Sequence, residues 1–301
     1  MKSLGRPLCF SFLVFLQSTL TTGFAAGTAT TTSPSKSAAI TFAPVDVSLV
    51  AESSTIQPGV PFTVGFYQEI RPGFHTYWRN PGTVGLATSL EWNLPPGFSA
   101  GPIQWSLPQT SQMADYEIWG YRNEALLLVD ITPPDPLPAE ATSFRLETEA
   151  AWMCCGRQCH PGFKTLTLDL APGPHPDLSP NWNSRFQKVR QQQPRTFAEW
   201  TISIEREAAI YRLKIAPQNK PETLEPRTLQ FFGFRRQVSS ARPQNYYVTQ
   251  DAYHLTLQHE EFSGEDHERL TGMIVSDRPW NTSFPEAPLL IDAPIHNASQ
   301  P

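Results

Sequence analysis

Three cysteines fall within six positions of this chain, in the run Trp152-Met153-Cys154-Cys155-Gly156-Arg157-Gln158-Cys159-His160-Pro161. Thiols set this close hold a disulfide, exchange one with another protein, or bind a soft metal. Gly156-Arg157-Gln158 has the make-up of a tight turn, so Cys155 and Cys159 are expected to face each other across a hairpin within disulfide reach. Neighbouring strand residues point to opposite faces, so Cys154 and Cys155 cannot both meet Cys159. The expected pair is Cys155–Cys159, with Cys154 turned toward the core. A disulfide closing so short a loop stabilises by only about 2 kcal/mol on a chain-entropy argument, which a domain of this size does not need. Turn-borne disulfides are the labile kind, and Arg157 and His160 add positive charge that favours a thiolate. Residue chemistry alone leaves a structural bond and an exchanging bond both open.

A rival chemistry is copper. Cys154, Cys155, Cys159 and His160, with Met153 and Met113, are donors suited to Cu(I). Against it, Met153 and Cys154 belong to different strand faces, and no Met-rich or His-rich tract supports a dedicated site. Zinc fits less well, because four convergent ligands at usual spacings are missing. No Ser-His-Asp set or carboxylate pair points to hydrolysis. No cofactor is expected.

The elements that must position these cysteines read as β structure. Val45, Val47 and Leu49 alternate, as do Phe62, Val64 and Phe66, with a turn at Gln57-Pro58-Gly59 between them. Further strands are expected over 89–94, 125–131, 143–153 and 163–170. Pro-Gly signals recur at Pro72-Gly73, Pro81-Gly82 and Pro96-Gly97. Many short strands with this punctuation predict a β-sandwich. A short helix is expected over 183–193, capped by Asn183 or Ser184 and stopped by Pro194. A second run of strands follows: 200–204, 211–215, 228–232, 246–248, 254–257 and 270–275.

The ends and the composition set the context. Lys2 and Arg6 precede an apolar stretch from Leu8 to Leu20, and Gly23-Phe24-Ala25-Ala26 offers small residues for cleavage. This pattern reads as a signal peptide over 1–26, with Cys9 leaving alongside it. No later stretch approaches the length of a membrane span, so the mature chain is expected to carry none. A net charge of −5 argues against nucleic acid as a partner. The division expected is signal peptide 1–26, disordered spacer 27–39, cysteine-bearing sandwich 40–172, linker with the short helix 173–199, second sandwich-like domain 200–295 and tail 296–301. An aromatic and polar cluster, His75, Tyr77, Trp78, Arg79 and Asn80, admits two readings. It is a loop packed over the sandwich with Trp78 in the core, or it lies beside the cysteine hairpin and shapes a partner surface.

Two segments together resemble one family. Trp152 to Pro161 is similar to the Trp-x-x-Cys-x-x-x-Cys-x-Pro signature of the N-terminal domain of DsbD-type thiol:disulfide interchange proteins, in the branch that resembles ScsB. Pro72-Gly73-Phe74-His75-Thr76-Tyr77-Trp78-Arg79-Asn80-Pro81-Gly82 resembles a second segment of that family. The likeness covers residues 40–172 strongly and 200–295 weakly. It implies an all-β protein of two immunoglobulin-like sandwich domains in the periplasm. On that likeness Cys155 and Cys159 would be the redox pair; the supporting candidates Cys154, Arg157, His160, Trp152, His75, Tyr77, Trp78 and Arg79 come from the residues themselves. Electrons would come from a membrane-embedded thiol–disulfide donor and go to periplasmic thioredoxin-like proteins. The chain departs from the family in stopping at Pro301 without a membrane domain, and in its extra Cys154.

Overall fold

The computed structural model describes residues 43–297, apart from 114–115, 220–223, 226 and 262–267. The expected signal peptide and spacer, and most of the expected tail, lie outside the described residues. The strands of the first half are β1 (Val45–Ala51), β2 (Thr55–Ile56), β3 (Phe62–Ile70), β4 (His75–Gly82), β5 (Ser89–Asn93), β6 (Ser99–Ala100), β7 (Gln109–Met113), β8 (Tyr116–Tyr121), β9 (Glu124–Thr132), β10 (Phe144–Cys155) and β11 (Cys159–Pro172). After α1 (Asn183–Gln191) come β12 (Trp200–Glu207), β13 (Ile210–Pro217), β14 (Leu229–Gly233), β15 (Asn245–Val248), β16 (Tyr253–Gln258), β17 (Arg269–Ser276) and β18 (Leu289–Asn297). The protein is all-β, as its alternation and turn spacing predict, and its sandwich is immunoglobulin-like, as the resemblance implies.

In the first half two sheets face each other, one ordered β1-β3-β9-β6 and the other β2-β11-β10-β4-β8-β7 with β5 also on β10. Inward-facing residues of both, among them Phe66, Trp119, Leu127, Ala150, Cys154 and Leu166, pack as one apolar cluster. The outer face of the first sheet is covered too. Phe186 and Val189 of α1 pack on Val50, Leu126 and Leu128. Arg190 fastens the helix by donating to both Glu52 carboxylate oxygens at 2.5 and 2.6 Å. Burial on both faces explains why β9 reads as a continuous apolar run rather than an alternation. The helix is shorter than expected: it ends at Gln191, its N-cap is Trp182, and no side chain caps it, so neither Asn183 nor Ser184 plays that part.

The second half builds its own sheet, ordered β14-β17-β18-β12-β13-β16-β15, around a core that includes Ile204, Phe231, Leu255, Ile274 and Ile291. All described residues fall in one compact unit. The two halves meet through β4. This stretch, expected as a loop, is a strand with a large bulge: Tyr77 pairs with Gly120 and Gly82 with Ile118, leaving Trp78 to Pro81 opposite Trp119 alone. Extra residues on one strand bend it out of the ladder. Here the bend carries Trp78 onto Phe232 and Phe234 and lets Asn80 donate to the Gly233 and Arg235 carbonyls, each at 2.8 Å. Thr76, wholly buried on the same strand, donates to Gln68 Oε1 at 2.7 Å, so its hydroxyl is not left unpaired in the core.

Candidate redox site

The site grows out of the β10–β11 hairpin. Its ladder is unbroken from Phe144↔Leu170 to Cys155↔Cys159, so the last pair of the ladder is the cysteine pair itself. The two are bonded, with Cα atoms 4.1 Å apart. Gly156, Arg157 and Gln158 form the turn, closed by the Gly156 N–H donating to the Gln158 carbonyl at 3.0 Å. This turn rests on the preceding one: a Cβ at Gly156 would stand 3.0 Å from the Gly73 carbonyl and 3.1 Å from the Phe74 ring. His160 packs edge-on against Phe74, with ring centroids 6.0 Å apart. Arg157 is exposed on the turn.

Alternation along β10 sorts the neighbouring side chains. Trp152 and Cys154 belong to the core face, where Trp152 lies over Gly162 and packs against Phe66. Met153 and Cys155 belong to the other face, in a cluster with Tyr77, Ile118, Val84 and Met113. Cys154 is a free thiol with no solvent exposure. Burial pushes its pKa up to about 12, against a weaker opposing hydrogen bond to the His75 backbone. It is a protonated, apolar-packed thiol, and the set Cys154, Cys155, Cys159 and His160 is not brought together as one metal site. Among the described residues no three His, Cys, Asp or Glu side chains converge.

The strand β4 borders the pair. His75 stands opposite Cys155 and Thr76 opposite Cys154. The His75 ring, 3% exposed, meets Tyr77 edge-on, its Nε2 3.3 Å from the Tyr77 hydroxyl. Tyr77 in turn donates to Met113 Sδ at 3.0 Å, and Met113 Sδ touches Cys159 Sγ at 4.0 Å. With the Tyr77 proton directed at sulfur, the assignment that satisfies both contacts has His75 Nε2–H donating to the Tyr77 oxygen. Burial, with a smaller contribution from the Arg122 charge, lowers the His75 pKa to about 4. Burial raises that of Tyr77 to about 12, with a further contribution from Cys154. At neutral pH both rings are therefore uncharged.

The structure divides the aromatic and polar cluster in two. His75 and Tyr77 lie at the disulfide. Trp78 and Arg79 do not: Trp78 is core, and Arg79 lies over the Phe234 ring at 4.6 Å on the contact between the halves. Met113 appears in the sequence only as one soft donor among several. Nothing in the local sequence sets it beside Cys159, because β7 reaches the site only through its pairing with β8.

The most telling asymmetry is burial of the two bonded sulfurs' residues. Cys155 has no exposure, while Cys159 is exposed. An incoming thiolate has access to one side of this bond.

Residues 46–171 match the family described as thiol:disulfide interchange protein DsbD, N-terminal. Among solved structures, the N-terminal periplasmic domain of ScsB from Proteus mirabilis is similar with a TM-score of 0.58 at 15% identity, over 84% of this chain and 94% of that one. At that identity the likeness is one of fold, and it extends well beyond the stretch that the family covers. No curated protein matches the chain. Among the described residues no helix is long and apolar enough to cross a membrane.

Proposed function

Residues 46–171 of this chain are a DsbD-type N-terminal domain, and from that premise we propose that the protein passes electrons through Cys155 and Cys159 by thiol–disulfide exchange. The observation that carries the reading is the one-sided exposure of the bond. A partner thiolate attacks Cys159 Sγ. A sulfur–sulfur bond forms between partner and Cys159, the Cys155–Cys159 bond breaks, and the electron pair leaves on Cys155 Sγ. A second thiol of the donor then displaces Cys159, leaving two thiols here and a disulfide on the donor. Delivery runs the same chemistry outward: the Cys159 thiolate attacks an acceptor disulfide, and Cys155 resolves the mixed disulfide. Cys159 is the exchanging sulfur and Cys155 the resolving one.

The surroundings suit this division. Cys155 sits among Tyr77, Ile118 and Met153, where water and stray thiols have no access. The setting proposed is the periplasm, with a membrane-embedded thiol–disulfide donor and thioredoxin-like acceptors. The second half, through Phe232, Phe234 and the Gly233 carbonyl, holds β4 in place beside the site.

The test is equilibration of the chain with glutathione buffers, followed by trapping with a thioredoxin-like protein. A reversible two-electron couple between about −180 and −270 mV is expected, lost in Cys155→Ser and in Cys159→Ser. In a Cys154→Ala background, Cys155→Ser should accumulate a mixed disulfide through Cys159, and Cys159→Ser should not. A bond that resists reduction until the protein unfolds would overturn the reading and leave a structural staple.

A further inference from the structure

Cys159 is not alone on the outer face of its sheet. Directly paired strand residues share a face, so the register sets the side chains that stand beside it. Met153↔Pro161, Ala151↔Phe163 and Glu149↔Thr165 continue the ladder from Cys155↔Cys159, and β5 extends two of these rows with Ser89↔Ala151 and Glu91↔Glu149. At about 3.3 Å per residue, Phe163 lies about 13 Å along β11 from Cys159, and the row of the two glutamates about 20 Å from it. Phe163 is 78% exposed, the highest value for any large apolar side chain among the described residues. It borders an open hollow of about 450 Å³ whose lining includes Ser89, Glu91, Glu149, Ala151 and Lys164.

Two features of this face are costly in the free protein. An exposed phenyl ring keeps its apolar surface in water. Glu91 and Glu149 stand directly opposite each other, and like charges so placed destabilise a sheet. Neither carboxylate has an ion-pair partner among the described residues. Glu147, two residues along β10, adds a third carboxylate to the face and accepts from Asn93 at 3.1 Å. The neighbouring cation is engaged elsewhere: Lys164 donates to the Val47 carbonyl at 3.4 Å. A lysine on an edge strand also discourages pairing with another chain, so the surface left for a partner is the face of the sheet.

We propose that this face is the docking surface for the exchange partner, and that the partner presents an apolar side chain and a lysine- or arginine-rich patch beside its reactive cysteine. Charge complementarity supplies the sign, and continuity with Cys159 supplies the place. On the other side of the disulfide Tyr77, Ile118, Val84 and Met113 cover Cys155, so a protein reaches the bond from the β11 side. Pro161, exposed between Cys159 and Phe163, joins sulfur and ring into one strip. A partner seated on this strip covers the phenyl ring, and its cations relieve the repulsion between Glu91 and Glu149. Opposite charges speed encounter by an amount that salt removes. The chemical step is unchanged: the partner thiolate bonds to Cys159 Sγ, the Cys155–Cys159 bond breaks, and its electron pair leaves on Cys155 Sγ. Docking alters the rate and not the balance. Arg157 on the turn carries the other charge and would favour an acidic partner, which makes the sign of the preference decisive.

Docking here rests on the exchange reading, and a small neutral thiol separates the two. The experiment measures second-order rates for opening of the Cys155–Cys159 bond in the folded chain by mercaptoethanol and by two synthetic peptides. Each peptide has one cysteine, a leucine four residues on and, beyond it, either two lysines or two glutamates. Each rate is divided by that of the same peptide with hydroxyethyl disulfide, which removes differences between the thiols themselves. The lysine peptide is expected to react about threefold to tenfold faster than the glutamate peptide, with the preference lost at about 0.5 M salt. Glu91→Gln/Glu149→Gln should abolish the preference, and Phe163→Ser should slow both peptides about threefold or more. Neither variant should change the mercaptoethanol rate, which checks that the site is intact. Equal peptide rates, or a faster glutamate peptide, would overturn the docking surface and, with mercaptoethanol still opening the bond, leave the exchange reading standing. A preference that survives Glu91→Gln/Glu149→Gln would overturn the part given to the carboxylates, and peptide rates unmoved by Phe163→Ser the part given to the ring. A bond that no thiol opens in the folded chain would remove both readings together.

Discussion

Cys155 and Cys159 have the same chemistry and opposite surroundings, and the difference comes from which side of β10 and β11 each occupies. Cys155 is sealed by Tyr77 and Ile118, while Cys159 stands at the surface. Their neighbour His75 supplies a test of how dry this corner is. Its folded pKa, about 4, lies below the ordinary value of 6.5, so the unfolded chain takes up the proton first as the pH falls. The stability that neutral His75 contributes is complete above about pH 6.5 and is lost progressively as the pH drops toward 4. Denaturant midpoints at pH 7 and pH 4.5 should therefore differ less in His75→Gln than in the wild type, by roughly one to a few kcal/mol. Equal acid losses in the two proteins would show that His75 is not held neutral by burial.

The hairpin of β10 and β11 presents the disulfide at the end of a twelve-pair ladder, and that ladder is stiffened from above by Trp152. Trp152 lies over Gly162, where a Cβ would stand 2.2 Å from the indole. Gly162→Ala should displace the indole and cost about 1–3 kcal/mol, read as a lower denaturant midpoint. An unchanged midpoint would mean that the indole moves aside freely and that the hairpin does not depend on it. The hairpin was legible in the sequence because Phe163, Leu166, Leu168 and Leu170 nearly alternate and Gly156 marks the turn. The strand β4 was not. Seven of its eight residues are buried, so no alternation survives, and Pro81 within it speaks against a central strand. Its resemblance to a family segment marked it as important without showing its conformation.

Over the whole molecule, the two halves share a core rather than touching at their surfaces. Trp78 and Trp119 from the first half pack with Phe232 and Met273 from the second in one cluster. Asn80 closes the seam by donating to two backbone carbonyls of the second half. Removing those donors takes one hydrogen bond from each carbonyl, although Arg235 keeps a second from the Gln237 N–H at 2.8 Å, so the expected cost is about 1 kcal/mol. The wild type should unfold in a single transition by tryptophan fluorescence and by circular dichroism, and Asn80→Ala should lower its midpoint or separate it into two. Two well-resolved transitions in the wild type would show that the halves are independent and that β4 does not couple them.

The sequence by itself determined the chemistry on offer and the local frame that carries it. Clustered thiols, a turn of three residues and the period of the flanking strands were enough for the Cys155–Cys159 pairing and for a buried Cys154, because a hairpin disulfide depends on neighbours close in the chain. Only the tertiary structure decided what surrounds the bond. The contact of Met113 with Cys159 spans 46 positions. It arises from β7 pairing with β8, and β8 with a bulged β4 that no periodicity announces. Exposure of one sulfur and burial of the other likewise follow from how β4 and the first turn close over the hairpin. Burial is a property of the packed sheets, and the pattern of any single strand contains only half of it.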